Sequence, residues 1–495
     1  MKKNILLKEA PKKVLIPRLD TFGDLILLES FLEALLNKYP EAELSLLVRE
    51  EYSQLKALFP PQIEWLTIKF NPYNEFDIDV NEVNNLLKEK PWDLILTTTF
   101  NRTSIDNHIA SLLNNIRNIA IGEGDSPHYE FVPVEENSSE LQKYRVLWEE
   151  LTGEERALSL PRLFIAAKLS VKADDILTGL GLKEGNFYIC APAGIANVQI
   201  KAWPEERYAE VISWIEDKYH LRTLLIGHEK EEEKIMKVHA SAGNKRTNVS
   251  IWLGKDGEIP LLAALIQKAK FYFGNDTGPM HIATAVRTPV VGIFGGGHWP
   301  RFLPQGTGCA ITRRMPCFSC GWDCIFGDAP CVRLITIKDV KQALSSLLLQ
   351  KNSSLTCNIF YASKPYQSIC DELIVKAGTR MNNLNTYTHQ VRQKDEVIHQ
   401  KDSLIQSIQE EHDKLLKEQN VQIESLSRSV ERLKAEIDNL SLEKETEIKS
   451  LRVDRDVQIQ ALSEVLEKLK EERNALRSSL SWKITSPLRL FRNIL

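Results

Sequence analysis

Three short segments carry residue types that could do chemistry together. The first is Arg18-Leu19-Asp20-Thr21-Phe22-Gly23-Asp24, set between an apolar run ending at Pro17 and an amphipathic stretch holding Leu25, Leu28, Phe31 and Leu35. A carboxylate fixed at such a strand-to-helix junction can take a proton from a hydroxyl, which makes Asp24 a candidate general base. The plainer use of Asp24 is an acidic first-turn residue favoured by the helix dipole. The second segment, Gly274-Asn275-Asp276-Thr277-Gly278-Pro279-Met280-His281, follows Phe271-Tyr272-Phe273. Asn275, Asp276 and Thr277 are cap-forming types and Pro279 suits a first turn, so a helix should begin here. Its free N–H groups could hold a diphosphate, with His281 as a further donor; a capped core helix without a ligand is the alternative. The third segment, Ala191 to Pro204, contains Lys201, which could meet a phosphate as a point charge or remain solvated.

These segments need a scaffold, and residues 13 to about 350 supply the pattern of one. Short β-type runs alternate with amphipathic helical stretches, as in parallel sheets wound by helices. Residues 13–17, 43–48 and 93–97 read as strands of a first half, and 187–191, 223–226, 271–273 and 290–294 as strands of a second. Two Rossmann-like halves, with a boundary near residues 165 to 185, should face each other across a cleft that takes ligand beyond the strand carboxyl ends. The first loop has one glycine where a dinucleotide fingerprint needs three, so a nicotinamide enzyme is disfavoured. Beyond Gly378 there is neither Gly nor Pro until Pro487. Within that stretch Ile423, Leu426, Val430, Leu433, Ile437 and Leu440 alternate by three and four, the seam of a coiled coil. The seam resumes at Ile448 after a stutter. A single solvated helix is the alternative, since Arg455 and Gln458 fall on the seam.

Composition narrows the functional classes. A chain of 495 residues should hold two or three domains, and 43% hydrophobic with 26% charged residues is enough for real cores. The formal charge of -4 gives no field to gather nucleic acid. No apolar run reaches the roughly 18 residues that span a bilayer, and no signal-peptide apolar region follows Lys2-Lys3, so a cytoplasmic location is expected. Four of the eight cysteines, Cys317, Cys320, Cys324 and Cys331, fall within 15 residues. Four thiolates could bind zinc or iron tetrahedrally, although these spacings are not those of a zinc ribbon; reduced structural thiols are the alternative.

Taken in order, Arg18 to Asp24, Lys201 to Pro204, and Gly274 to Ala283 followed by Thr288-Pro289-Val290-Val291-Gly292-Ile293-Phe294-Gly295 resemble glycosyltransferase family 9, which includes the ADP-heptose:lipopolysaccharide heptosyltransferases. The resemblance covers about residues 12 to 350. It implies a GT-B architecture, an acceptor domain over 12–172 and a nucleotide-sugar donor domain over 173–350. It also implies inverting transfer with no cofactor required for catalysis. Through it Asp24 matches the general base, with Arg18 and Gly23 on the acceptor-side loop. Lys201 matches a lysine on donor phosphate, and Asp276, Thr277, Gly278 and His281, with Asn275 beside them, match the donor-binding helix terminus. A linker over 351–378, a coiled coil over 379–480 and a basic amphipathic tail over 481–495 complete the expected organisation. The tail resembles a Ser-Trp-Lys-Ile-Thr-x-Pro-Leu-Arg ending of bacterial surface-polysaccharide glycosyltransferases, and its mix of apolar and basic residues suits an anionic membrane surface or a protein partner. The expected partners are a nucleotide-diphosphate sugar, a lipid-linked glycan acceptor such as lipopolysaccharide core, a second copy through the coiled coil, and the inner membrane face. Nucleic acid is not among them. A catalytically inactive scaffold and a protein-modifying transferase are the competing functions.

Overall fold

The computed structural model describes residues 5–71, 80–88, 90–155, 158–194, 198–243, 248–315, 317–324, 326–349, 357–362 and 366–478. Met1–Asp371 form one compact unit and Glu372–Leu495 another. Two parallel sheets make up the first unit. One contains β1 (Lys13–Pro17), β2 (Glu43–Arg49), β3 (Glu64–Ile68), β4 (Leu94–Thr97), β5 (Arg117–Ile121) and β6 (Glu130–Val132), in the order β3-β2-β1-β4-β5-β6. The other contains β7 (Phe187–Ala191), β8 (Arg222–His228), β9 (Val249–Gly254), β10 (Tyr272–Asn275), β11 (Val290–Phe294), β12 (Gly308–Thr312) and β13 (Cys357–Tyr361), in the order β13-β12-β11-β10-β7-β8-β9.

The central strands are unbroken apolar runs because helices cover both faces of each sheet; all five residues of β7 are buried. Chain order reverses beside β1, which pairs with β2 and with β4, and beside β7, which pairs with β8 and β10. At such points the following loops part and leave a crevice, so the segments 18–21 and 192–194 are placed where ligands bind. The helix Phe22–Lys38 leaves the first crevice and buries every residue from Gly23 to Leu32. The helix Gly278–Ala285 leaves β10 and buries Met280 through Ala285. These two helices pack on each other, and one apolar cluster takes in Leu25 and Leu28 of the first with Ile282 and Ala283 of the second. The halves are thus joined by a continuous core.

The second sheet runs on to Tyr361 as its edge strand, and a helix begins at Tyr366. That helix, Tyr366–Ser478, is unbroken, as a stretch without Gly or Pro after Gly378 allows. The tail over 481–495 lies outside the described residues. Among the described residues no helix is long and apolar enough to cross a membrane.

Candidate active site

The loop after β1 turns inward instead of into solvent. Arg18 is fully buried and donates Nη1 to the carbonyl of Thr98 at 2.6 Å and Nε to Asp20 Oδ1 at 2.9 Å. Its Nη2 lies 2.8 Å from Asp20 Oδ2, 3.3 Å from Asp24 Oδ1 and 3.4 Å from Glu140 Oε2. Asp24 sits in the first turn of the helix Phe22–Lys38, where its Oδ2 accepts from the Thr21 hydroxyl at 2.6 Å and the Thr21 N–H at 3.3 Å. That capping box satisfies one carboxylate oxygen. The other, Oδ1, is buried and accepts no hydrogen bond from the described residues.

Glu140, which the sequence does not advertise, organises this side of the cleft. It is buried and accepts from Lys143 Nζ at 3.1 Å, the Tyr144 hydroxyl at 3.1 Å and Arg301 Nε at 2.5 Å. Burial by itself would raise its carboxyl, but Arg301, Arg18 and Lys143 together hold it down at about 2. Burial with Asp24 and Glu140 nearby pushes Asp20 up, against the pull of Arg18. Arg301 belongs to the second half of the unit, so Glu140 ties the two halves together beside Asp24.

On the facing side, Gly23 packs on the imidazole of His281: a Cβ on Gly23 would lie 3.0 Å from His281 Cδ2. A Cβ on Gly278 would lie 2.0 Å from Phe22 Cζ. Two glycines therefore let two helix N-termini meet across the cleft. His281 is buried, and its Nδ1 has no hydrogen-bond partner among the described residues. Burial lowers it below the ordinary histidine value against the upward pull of Asp276 and Asp24. Lys201 Nζ stands 3.8 Å from Asp276 Oδ2 and 4.9 Å from the centre of the Trp322 ring. Thr277 is the N-cap residue, yet its side chain makes no capping bond; its hydroxyl lies 3.4 Å from the Asn275 carbonyl. Gly194, with φ 81°, brings the loop after β7 against Thr277.

The structure thus gathers Asp24, Arg18, Gly23, Lys201, Asp276, Thr277, Gly278 and His281 around one cleft. Asn275 has a different task. It is wholly buried, accepting from the Tyr208 hydroxyl at 2.8 Å and donating Nδ2 to the Pro192 carbonyl at 2.9 Å, so its amide pins two cleft loops together.

The cysteine segment folds onto Gly295, Gly296 and Gly297, where a Cβ would lie 2.4, 2.3 and 2.3 Å from the rings of Trp322, Phe318 and Trp322. Ser319 N–H bonds Gly296 O at 2.7 Å, and Gly321 N–H bonds Gly297 O at 2.8 Å. The expected zinc or iron site at Cys317, Cys320, Cys324 and Cys331 does not fit this arrangement. Among the described residues no group of three or more His, Cys, Asp or Glu is placed to hold a metal. Burial pushes the Cys331 thiol up to about 12, although the Gly296 N–H that its sulfur accepts at 3.4 Å pulls the other way. What the segment does is carry Trp322 over Lys201, next to the cleft. A separate groove of about 760 Å³, lined by Leu36, Phe59 and Phe164 among others, opens near the other end of the helix Phe22–Lys38, away from these groups.

Two parallel α/β sheets facing across such a cleft are the GT-B architecture, and solved glycosyltransferases share it. The structure of the glycosyl transferase family 9 protein from Veillonella parvula matches with a TM-score of 0.58 at 20% identity, covering 70% of this chain and 99% of that one. Escherichia coli ADP-heptose lps heptosyltransferase II matches with a TM-score of 0.53 at 20% identity, covering 69% and 99%. Residues 123–320 match the family model described as Glycosyltransferase family 9 (heptosyltransferase). Lipopolysaccharide core heptosyltransferase OpsX of Haemophilus influenzae is 25% identical over 298 residues, 58% of this chain and 80% of that protein. Lipopolysaccharide heptosyltransferase 3 of Escherichia coli K12 is 29% identical over 119 residues, 24% of this chain, and the chain spans about a third of that relative, 33%. By class the chain has the GT-B fold of these solved glycosyltransferases. More particularly, its residues 123–320 are similar to glycosyltransferase family 9.

Proposed function

We propose that the chain transfers a sugar with inversion from a nucleotide diphosphate to a hydroxyl of a cell-surface glycan precursor, the leading pair being ADP-heptose and lipopolysaccharide core. The observation that carries this is the meeting of two helix N-termini. One presents Asp24 Oδ1, a buried carboxylate oxygen 3.3 Å from Arg18 Nη2 that accepts no hydrogen bond among the described residues, and the other presents His281 Nδ1, a buried ring nitrogen with no hydrogen-bond partner among the described residues. Asp24 takes the proton of the acceptor hydroxyl as its oxygen forms a bond to the anomeric carbon, while the bond from that carbon to the diphosphate breaks. The leaving diphosphate gathers negative charge. Lys201, the N–H groups at Thr277 and Gly278, and His281 as a hydrogen-bond donor meet that charge, and Arg18 holds Asp24 in place. Support for donor and acceptor comes from the relatives, named as lipopolysaccharide heptosyltransferases. The basic amphipathic ending over 481–495 fits peripheral contact with the membrane that carries a lipid-linked acceptor.

Thermal unfolding with ADP, UDP, GDP and CDP, together with turnover on ADP-heptose, tests this. ADP at a hundred times its dissociation constant should add about 2.7 kcal/mol to stability. Asp24→Asn should keep that shift and lose roughly 10²- to 10⁴-fold in turnover, while Lys201→Ala with His281→Ala should lose the shift. An Asp24→Asn protein with wild-type turnover would sink the proposal, and a wild-type chain indifferent to every nucleotide would favour an inactive scaffold.

A further inference from the structure

The helix Tyr366–Ser478 carries an apolar stripe that its own residues leave uncovered. Ile423, Val430 and Ile437 recur every seven residues, and Leu426, Leu433 and Leu440 follow each of them three residues later. These six side chains are 49% to 65% exposed. A contiguous apolar surface of this length on a polar helix marks an association site.

The chemistry of the stripe selects its partner. β-Branched residues hold the first seam position of each heptad and leucine the second, the arrangement that favours two parallel strands over three or four. The seam resumes with Ile448 and Leu451, eight residues after Leu440, and then meets Arg455 and Gln458 before Leu462 and Val465. Arg455 folds its guanidinium onto Asp456, with Nη2 at 2.7 Å and Nε at 3.0 Å from Oδ1, so its charge is already turned along the helix surface. A parallel copy in register sets stutter beside stutter and each polar residue beside its own counterpart. An antiparallel copy that matches the two halves of the seam buries Arg455 against Leu433 and Gln458 against Val430. A slip of one heptad sets Arg455 against Ile448 or Leu462. Both arrangements set a charge against an apolar side chain, whereas the in-register parallel pair sets Arg455 beside Arg455, each guanidinium on its own Asp456, and Gln458 beside Gln458. Polar seam residues that fix register in this way are a recurrent device.

We infer that residues 423 to 469 pair, in parallel and in register, with the same residues of a second copy of this chain, along roughly 70 Å of two-stranded coiled coil. This stands independently of the transferase chemistry.

The experiment uses the full chain. Light scattering should give the mass of two chains, and Leu433→Glu should halve it while Ala435→Glu, on the opposite face of the helix, leaves it unchanged. An exchange of the seam, with Leu at 423, 430 and 437 and Ile at 426, 433 and 440, should raise the mass to three or four chains. A short amine cross-linker applied to mixed ¹⁴N- and ¹⁵N-labelled protein should join Lys417 to Lys417 and Lys470 to Lys470 of the other copy. The antiparallel pair would instead join Lys417 to Lys470, which lie roughly 80 Å apart along one helix. A one-chain mass, a mass of three or more for the unaltered chain, a two-chain mass that survives Leu433→Glu, or Lys417–Lys470 links between copies would each overturn the inference.

Discussion

Replacing Glu140 by Gln keeps the shape of the side chain and removes the one carboxylate shared by Lys143, Arg18 and Arg301, at 3.1, 3.4 and 2.5 Å. Its displacement from the ordinary 4.5 to about 2 corresponds to about 3 kcal/mol in favour of the ionised form within the fold. Removing one partner of a buried ion cluster costs about 3 to 5 kcal/mol by a separate route, because the remaining charges stay buried without compensation. The two figures agree, so Glu140→Gln should lose about 3 to 5 kcal/mol at pH 7. The group is lowered on folding, so its contribution is complete above the unfolded value near 4.5 and is lost as pH falls towards 2. Urea unfolding of both proteins from pH 7 to pH 3 measures this. The gap should be widest at neutral pH and should close on acidification. Equal stabilities at pH 7, or a gap that does not narrow down to pH 3, would refute the assignment of Glu140 as the anion that holds the cleft's cations.

Two further substitutions read other parts of the same unit. Burial pushes Glu29 up to about 7, only partly offset by the Arg162 N–H that bonds its Oε2 at 2.7 Å. A raised carboxyl stabilises the fold below its unfolded value and loses that contribution as pH rises through 7. Glu29→Gln should therefore be more stable than the parent above pH 7, by up to about 3 kcal/mol, with the advantage gone at pH 4 in the same urea series. Gly278→Ala puts a methyl 2.0 Å from Phe22 Cζ and should cost about 1 to 3 kcal/mol as overpacking. Phe22→Ala in the same chain should recover part of that loss in a double-mutant cycle, which a purely local effect at Gly278 would not show.

The place of Asp24 and His281 at the starts of helices that follow strands was legible in the sequence, a pattern complete within about ten residues. The long helix was legible from the run without Gly or Pro. Glu140 was not, because it reads as an ordinary acidic residue at a helix start and acquires its meaning from Arg18 and Arg301, 122 and 161 residues away. Asn275 shows the opposite failure. Its type and place suggested a ligand contact, but two core partners from other segments claim the amide. The cysteine cluster was conspicuous by spacing, yet spacing does not report where sulfurs point or which N–H one of them already accepts.

The sequence by itself determined where strands give way to helices, which residues stand at those junctions, and that a polar helix with one apolar stripe follows the two sheets. Those are consequences of backbone preference and side-chain period, which act over a few neighbouring residues. Only the tertiary structure decided that Gly23 and Gly278 let two helix ends meet, that Trp322 lies over Lys201, and that one carboxylate neutralises cations from both halves. Such placements depend on the cost of burying charge and on packing between distant segments, and sheet topology alone brings those segments together.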